Sequence, residues 1–155
     1  GSPAENKVIL AIGVNATRKK IADRIAQTVT FGTAIHPHTH ISKRATIGAG
    51  TVIMAGATIN ADTQTGTHCI INTSASIDHD CILGNYVHIS PNATLSGGVE
   101  VGEGTHIGAG ASVIQGIKIG KWCTIGAGTV VIKDIPDNAT AVGNPARIIK
   151  VKENE

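Results

Sequence analysis

From Ile35 to Val131 an aliphatic residue recurs at every sixth position, with Thr65 the one polar member of the series. The run is Ile35, Ile41, Ile47, Ile53, Ile59, Thr65, Ile71, Ile77, Leu83, Ile89, Leu95, Val101, Ile107, Val113, Ile119, Ile125 and Val131. Four residues after each stands a second, mostly smaller residue, among them Thr51, Ala57, Thr63, Cys69, Ala75, Cys81, Val87, Thr105, Cys123 and Thr129. A helix repeats every 3.6 residues and a half-buried strand every two, so neither produces an unbroken period of six. Self-similarity at this spacing predicts a solenoid of short parallel strands, a β-helix.

Glycine falls into the same frame. Counting the aliphatic position as i, most of the 19 glycines lie at i+1 or i+3, as a chain that turns a corner in every hexad requires. Asp62, Asp80, Asn92 and Asp134 share the i+3 phase, and Asp and Asn tolerate left-handed backbone better than other side chains. Three hexads close one triangular coil, so seventeen hexads give between five and six coils. At the strand spacing of about 4.8 Å the prism stands roughly 25–30 Å tall. The i and i+4 side chains fill its interior, and the periodicity leaves the hand of the coil open.

Residues 1–32 depart from the rhythm. Gly1-Ser2-Pro3 reads as an expression scar. Lys7 to Ile12 reads as a buried strand, Gly13-Val14-Asn15 as a turn, and Ala16 to Gln27 as a short helix with Ile21 and Ile25 inward and Asn15 or Thr17 as its cap. One strand and one helix do not complete a doubly wound domain. At the other end Asp134-Ile135-Pro136-Asp137 breaks the hexads. A loop through Asn144 and Pro145, then a short strand or tail over Ile148 to Val151, provides the atypical last unit that covers an open solenoid edge.

Composition excludes several classes. A net charge of +2 with no basic run interleaved with aromatics argues against nucleic acid. No apolar stretch reaches the length of a membrane span and no signal-peptide pattern opens the chain. Cys69, Cys81 and Cys123 all occupy the interior i+4 phase and form no CxxC pair. They read as small buried hydrophobes, which suit a reducing, cytoplasmic setting.

The frame also states which side chains point outward. His79 lies at i+2, on a corner, between Asp78 and Asp80. An imidazole beside a carboxylate can be held in one tautomer and kept basic, as a general base requires. A solvated corner histidine is the plainer alternative. His88 and His106 share the i+5 phase eighteen residues apart, so they stack on one face, as a surface ladder or as part of a groove. His36, His38 and His40 mimic a metal site, but their phases differ and should fan them apart.

The hexads resemble the left-handed parallel β-helix of hexapeptide-repeat acyltransferases over roughly Ile35 to Val151. Within that superfamily, Ile71-Asn72-Thr73-Ser74-Ala75-Ser76-Ile77-Asp78-His79-Asp80-Cys81 resembles sugar acetyltransferases of the sialic-acid O-acetyltransferase type. So does Val87-His88-Ile89-Ser90-Pro91 followed by Leu95-Ser96-Gly97. That group includes the bacterial UDP-4-amino-sugar N-acetyltransferases of bacillosamine synthesis and GDP-perosamine N-acetyltransferases. Ala11 to Asn15 with Arg18 to Ile21 is similar to the last strand and helix of their N-terminal nucleotide-sugar domain. Residues 1–32 then read as a truncated remnant of that domain, and residues 33–155 as the acyltransferase β-helix with its cap.

The resemblance implies a cytoplasmic homotrimer with acetyl-CoA as co-substrate, no metal, and active sites in grooves between prisms. It implies His79 as general base, with Asp80, or less favourably Asp78, orienting the ring. It implies the Gly97 N–H at the developing oxyanion, His88 at the acetyl or pantetheine end, and Asn72, Asp78, Gly13 and Asn15 on the acceptor side. Gly108, Ala109, Gly126 and Ala127 would line the pantetheine groove together with His88 and Gly97, and Arg147 would meet CoA phosphates. One departure stands out: the glycine-rich phosphate turn that opens the family's N-terminal domain has no counterpart here. A truncated domain explains this better than an acceptor held by the β-helix alone. Three other readings remain: O-acetylation of a sugar such as sialic acid, a catalytically impaired scaffold, and a γ-carbonic-anhydrase-like zinc enzyme. The last needs a His-x4-His pair, and no two histidines here are five apart.

Overall fold

From Ala34–Ile35 through Val130–Val131 each hexad folds into a strand of two residues followed by a tight corner, except that of Ile47, where Thr46 makes only an isolated bridge to Gln64. In a computed structural model the protein is described over residues 6–153, so Gly1-Ser2-Pro3 lies outside the described residues. The strands stack in parallel, and each pairs with the one eighteen residues later, as in Val52↔Ile70, Ile70↔His88, His88↔His106 and His106↔Thr124. This builds a prism of about six coils with three flat faces. The first face holds the column from Ala34–Ile35 to Thr124–Ile125, the second that from His40–Ile41 to Val130–Val131, and the third that from Gln64–Thr65 to Lys118–Ile119.

Corners are laddered as firmly as strands. Asp80 N–H donates to the Ala61 carbonyl at 3.0 Å, Gly98 to His79 at 2.9 Å, and Gly116 to Gly97 at 3.0 Å. The donor in each case is an i+3 residue with positive φ, for example Asp80 at 58° and Gly98 at 68°. That left-handed residue reverses the chain and makes the i+3 phase selective for Gly, Asp and Asn. Gly50, Gly56, Gly110, Gly116 and Gly128 occupy it elsewhere.

The interior follows the two apolar phases. Ile59, Ile71, Ile77, Ile89, Leu95 and Ile107 are fully buried at i, and Ala57, Ala75, Val87, Ala93 and Ala111 at i+4. The first coil is the exception: Ile35 is exposed and Ile41, Ala45 and Ile47 are only partly buried. An end coil has a neighbour on one side only, so its interior stays partly open.

The three cysteines are buried and free, and they do more than fill space. Threonine one coil earlier stands directly behind each: Thr51, Thr63 and Thr105 accept from the N–H of Cys69, Cys81 and Cys123 at 3.0–3.2 Å. Thr63 Oγ1 donates onward to the Asp78 carbonyl at 2.7 Å, and Cys81 Sγ does the same to Ser96 at 3.2 Å. Threonine and cysteine are therefore interchangeable bridges from the i+4 phase to a corner carbonyl. Burial pushes the Cys69 thiol up to about 11, the opposite of an activated nucleophile.

The N-terminal unit differs from the sequence expectation in three ways. Only Lys7–Val8 of the expected buried strand is a strand, paired in parallel with Thr30–Phe31, and between residues 7 and 12 only Leu10 is buried. The helix runs Asn15–Ile25, and neither Asn15 nor Thr17 caps it: Val14 takes that position without a side-chain bond. Its most buried residues are Arg18 and Ala22, while Ile21 and Ile25 are partly covered. The helix docks on the corner that follows the third face, where the i+3 phase unexpectedly carries His68, Tyr86 and Trp122 at positive φ. Tyr86 stacks on His68 at 5.2 Å, and Phe31 meets His68 edge-on at 4.4 Å. These large aromatics accept strained backbone because they form the helix's landing surface, which no hexad rule anticipates.

Arg18 is the hub of that contact, 1% exposed. It donates to the carbonyls of His68 (2.9 Å), Tyr86 (3.2 Å), Ile12 (2.8 Å) and Gly13 (3.3 Å), and to Asn15 Oδ1 (2.7 Å). Beyond residue 131, Ile135 bridges back to Ile119, and Ala139–Val142 pairs with Thr124–Ile125 and, antiparallel, with Arg147–Val151. This is the expected closing unit.

Arg18→Ala leaves those carbonyls buried without a donor, and should cost roughly 3 kcal/mol of stability in denaturant unfolding. Hydrogen exchange should quicken over residues 15–25 while the solenoid strands keep their protection.

Candidate active site

Two separate edges of the prism carry the candidate chemistry. The edge after the second face holds Asp78, His79 and Asp80, with Asn60 in the coil below and Gly97 in the coil above. His79 sits on the corner with its side chain 61% exposed. Its Nδ1 lies 2.8 Å from Asp80 Oδ2, so Nδ1 carries the proton and donates to the carboxylate, leaving the Nε2 lone pair free. The left-handed backbone at Asp80 is the corner conformation itself, so the fold supplies the carboxylate at the one phase that tolerates it.

Asp78 is held differently. Its Oδ1 accepts from the His79 backbone N–H at 2.8 Å and from Asn60 Nδ2 at 2.9 Å. Asn60's bond and then the His79 amide hold the Asp78 carboxyl below the usual range. The bond to Asp80, and secondarily the charge of Asp78, raise the His79 imidazole above its ordinary value. Asp80 is thus the ring partner and Asp78 the brace of the loop. Asn60 was not foreseen, although the eighteen-residue register that places it beneath Asp78 is visible in the sequence.

Gly97 lies against the His79 ring. A Cβ built there would come 2.7 Å from His79 Cε1 and 2.8 Å from Nε2. Among the described residues its N–H makes no hydrogen bond, so it is available beside the free imidazole nitrogen.

The edge after the first face carries Asn72, then Ser90, then Gly108 and Ala109, then Gly126 and Ala127, one coil above another. Asn72 Nδ2 lies 3.2 Å from His88 Nε2, and Asn72 Oδ1 accepts from Thr73 N–H at 2.8 Å. His88 and His106, opposite each other in the ladder, stack at 4.6 Å between centroids with planes 13° apart. Burial, then the neighbouring His106, pushes His88 down to about 4. The upper part of this edge is a bare ledge, with Ala109 and Ala127 exposed.

The N-terminal segment borders this face. Gly13 lines two clefts: one of about 330 Å³ with Ile12, Val52, Met54, Ile70 and Asn72, and one of about 480 Å³ with His88, His106, Trp122, Thr124 and Lys152. Asn15 lines the second, but its amide is already committed, donating to the Gly104 carbonyl at 3.0 Å and accepting from Arg18. Arg147 is exposed at the start of the last strand. A hollow of about 790 Å³ on the third face beside Glu100, Lys118 and Asp137 contains none of these groups.

Within one chain His79 does not meet Asn72 or His88. One whole face separates their corners, roughly 15 Å at about 3.3 Å per residue. His36 and His38 do not fan apart as expected: their rings lie 5.5 Å from each other, and the His38 N–H donates to His36 Nδ1. Among the described residues no three His, Cys, Asp or Glu side chains are grouped to hold a metal, and no described helix is long and apolar enough to cross a membrane.

Known proteins share this fold. The bacterial transferase hexapeptide family (six repeats) matches residues 98–133. The acetyltransferase domain of PglB from Neisseria gonorrhoeae, solved with acetyl coenzyme A, is 41% identical over 92% of this chain and 70% of its own, with a TM-score of 0.90. GDP-perosamine N-acetyltransferase from Caulobacter crescentus, solved with CoA and GDP-perosamine, is 42% identical over 94% and 70%, with a TM-score of 0.92. WeeI from Acinetobacter baumannii is 30% identical over 96% and 73%, with a TM-score of 0.90. No curated protein matches the chain.

Gly97→Ala should leave the melting temperature nearly unchanged, because Gly97 has no positive φ and its Cβ meets only an exposed ring. The variant should nevertheless displace the imidazole. We expect the His79 ring resonances to shift in NMR, and any reaction that uses Nε2 to fall about a hundredfold.

Proposed function

The chain belongs to the hexapeptide-repeat acetyltransferase family of left-handed β-helices, and from that premise we propose that it acetylates the amine of a nucleotide-linked amino sugar with acetyl-CoA. A UDP-linked 4-amino-4,6-dideoxy sugar is the first acceptor to test and a GDP-linked one the second. The observation that carries the reading is the His79–Asp80 pair on an open corner, 2.8 Å apart, with the free imidazole nitrogen over Gly97.

In this mechanism His79 Nε2 takes a proton from the acceptor nitrogen as that nitrogen attacks the thioester carbonyl. Asp80 holds the ring in the Nδ1–H form and stabilises the imidazolium. The Gly97 N–H donates to the oxyanion of the tetrahedral intermediate. Collapse of that intermediate expels CoA thiolate and leaves the amide. Proton abstraction by an exposed imidazole needs no activated cysteine, which agrees with three buried thiols.

The separation of the two edges supports a site shared between subunits. A second prism, in a homotrimer, would bring its Asn72, His88 and the Gly108–Ala109 and Gly126–Ala127 ledge against the first subunit's His79. The ledge would take the pantetheine arm, Arg147 a CoA phosphate, and Gly13 with Asn72 and Asp78 the acceptor side. Asn15, whose amide is committed to the helix contact, would serve there by fixing Gly13's neighbourhood. The N-terminal unit along the first face fits the reading of residues 1–32 as part of a nucleotide-sugar domain.

The test is thiol release on mixing acetyl-CoA with nucleotide-linked amino sugars. His79→Asn should lower kcat at least about a hundredfold with the oligomer intact; retention of most activity removes the assigned base. Since the raised histidine must be deprotonated to act, kcat/KM should climb with pH through a value above that of a free histidine. Asp80→Asn, which deletes the largest cause of that rise, should move this limb toward lower pH while reducing the plateau.

A further inference from the structure

The first face contains a repeated polar device that the proposed chemistry leaves half unused. Asn72 reaches up sixteen residues to His88, and one coil higher Ser90 reaches up sixteen residues to His106, with Ser90 Oγ 2.6 Å from His106 Nε2. The two imidazoles are opposite one another in the ladder and stack nearly parallel. Each ring is therefore tied at Nε2 by a side chain from the corner below, and the upper ring lies flat on the lower.

The bonding fixes the proton on His88. Asn72 Oδ1 is occupied by the Thr73 N–H, so the Asn72 group facing His88 is the NH2, a donor. His88 Nε2 must then be the unprotonated acceptor and Nδ1 must carry the hydrogen. Among the described residues that Nδ1–H has no hydrogen-bond partner. A free imidazole has no such constraint on tautomer or ring plane. Asn72 fixes one atom of the ring, and an imidazole held at one atom can still rotate about that contact. The stack removes the remaining rotation, and Ser90 keeps the stacking ring from turning.

We propose that His106, anchored by Ser90, is a positioning residue that locks the plane of His88 and so presents the His88 Nδ1–H as a neutral, directed hydrogen-bond donor at the mouth of the cleft shared with Gly13. The ligand group it suits is a carbonyl or hydroxyl oxygen of the bound substrates. This assignment rests on the acetyltransferase reading for its use in catalysis, but the tautomer and the lock are properties of the chain by itself. They also separate two histidine roles: His79 takes a proton, and His88 donates a hydrogen bond without ever becoming charged in the working range.

The experiment is a two-bond ¹H–¹⁵N spectrum of the histidine rings in the intact protein, paired with steady-state kinetics. In the wild type, His88 should show a protonated Nδ1 and an unprotonated Nε2. Because Asn72 and not the stack sets the tautomer, His106→Ala should keep His88 Nε2 unprotonated but increase the motion of the His88 ring in NMR relaxation, and lower kcat/KM by roughly tenfold. His106→Phe, which keeps the stacked ring, should restore most of both readouts, and Ser90→Ala should fall between. The proposal is overturned if His88 is protonated at Nε2 in the wild type, if the motion of its ring is unchanged in folded His106→Ala, or if His106→Phe fails to rescue. Should His106→Ala not fold, Ser90→Ala and His106→Phe decide by the same spectra. A wild type that lacks acetyl transfer but shows the locked tautomer defeats the functional reading and leaves the positioning pair standing.

Discussion

Everything in this molecule depends on the coil-to-coil hydrogen-bond ladder and its fixed advance of eighteen residues. Strand amides such as that of Ser76 bond to the coil above and corner amides such as that of Asp80 to the coil below, so no coil can slip against its neighbour without unpairing a whole circuit of buried or half-buried backbone groups. The side chains add selectivity for each phase: large aliphatics at i, small residues at i+4, left-handed residues at i+3. A position in the sequence is thereby a position on the prism, and a residue's neighbours are those eighteen before and after it.

The site inherits its accuracy from that ladder. Asn60, Asp78 and Gly97 bear on His79 because register places them one coil below, beside and one coil above. The corner that carries His79 is short, and the amides of Asp78, His79 and Asp80 are spent on the ladder or on the Asp78 carboxylate. A histidine on a long mobile loop would need a packed second layer to be aimed. Here the corner aims it, and only the ring torsions remain for Asp80 and Gly97 to settle. The same register pairs His88 with His106 and Asn72 with His88.

Most of the prism was legible because its rule is local and periodic: Ile53 to Val131, the corner glycines, the interior cysteines and the outward histidines follow from counting by six. The failures lie where a different contact overrides that count. His68, Tyr86 and Trp122 occupy corner positions suited to Gly or Asp because a helix from outside the repeat lands on them. Asn15 reads as a cap or a substrate contact, yet its amide faces the Gly104 carbonyl, a partner far away in the sequence. Arg18 appears as one more surface cation of a polar helix, since nothing in its neighbours reveals that five acceptors converge on it. His36 and His38 lie together because the open first coil lacks the packing that would hold them apart. The division of candidate residues between two edges was implicit in the hexad phases, but only three dimensions show that a single chain leaves them apart.

The joint at Arg18 has one further property. Its acceptors are carbonyl and amide oxygens, with no carboxylate among them, and a guanidinium does not lose its proton in the accessible range. The Arg18 bonds are consequently indifferent to acidity, but the His68 ring packed beside them between Phe31 and Tyr86 is held neutral by burial. Acid that charges His68 therefore weakens the joint at its aromatic layer while the guanidinium contacts persist, so any loosening at low pH begins at the helix and not in the ladder.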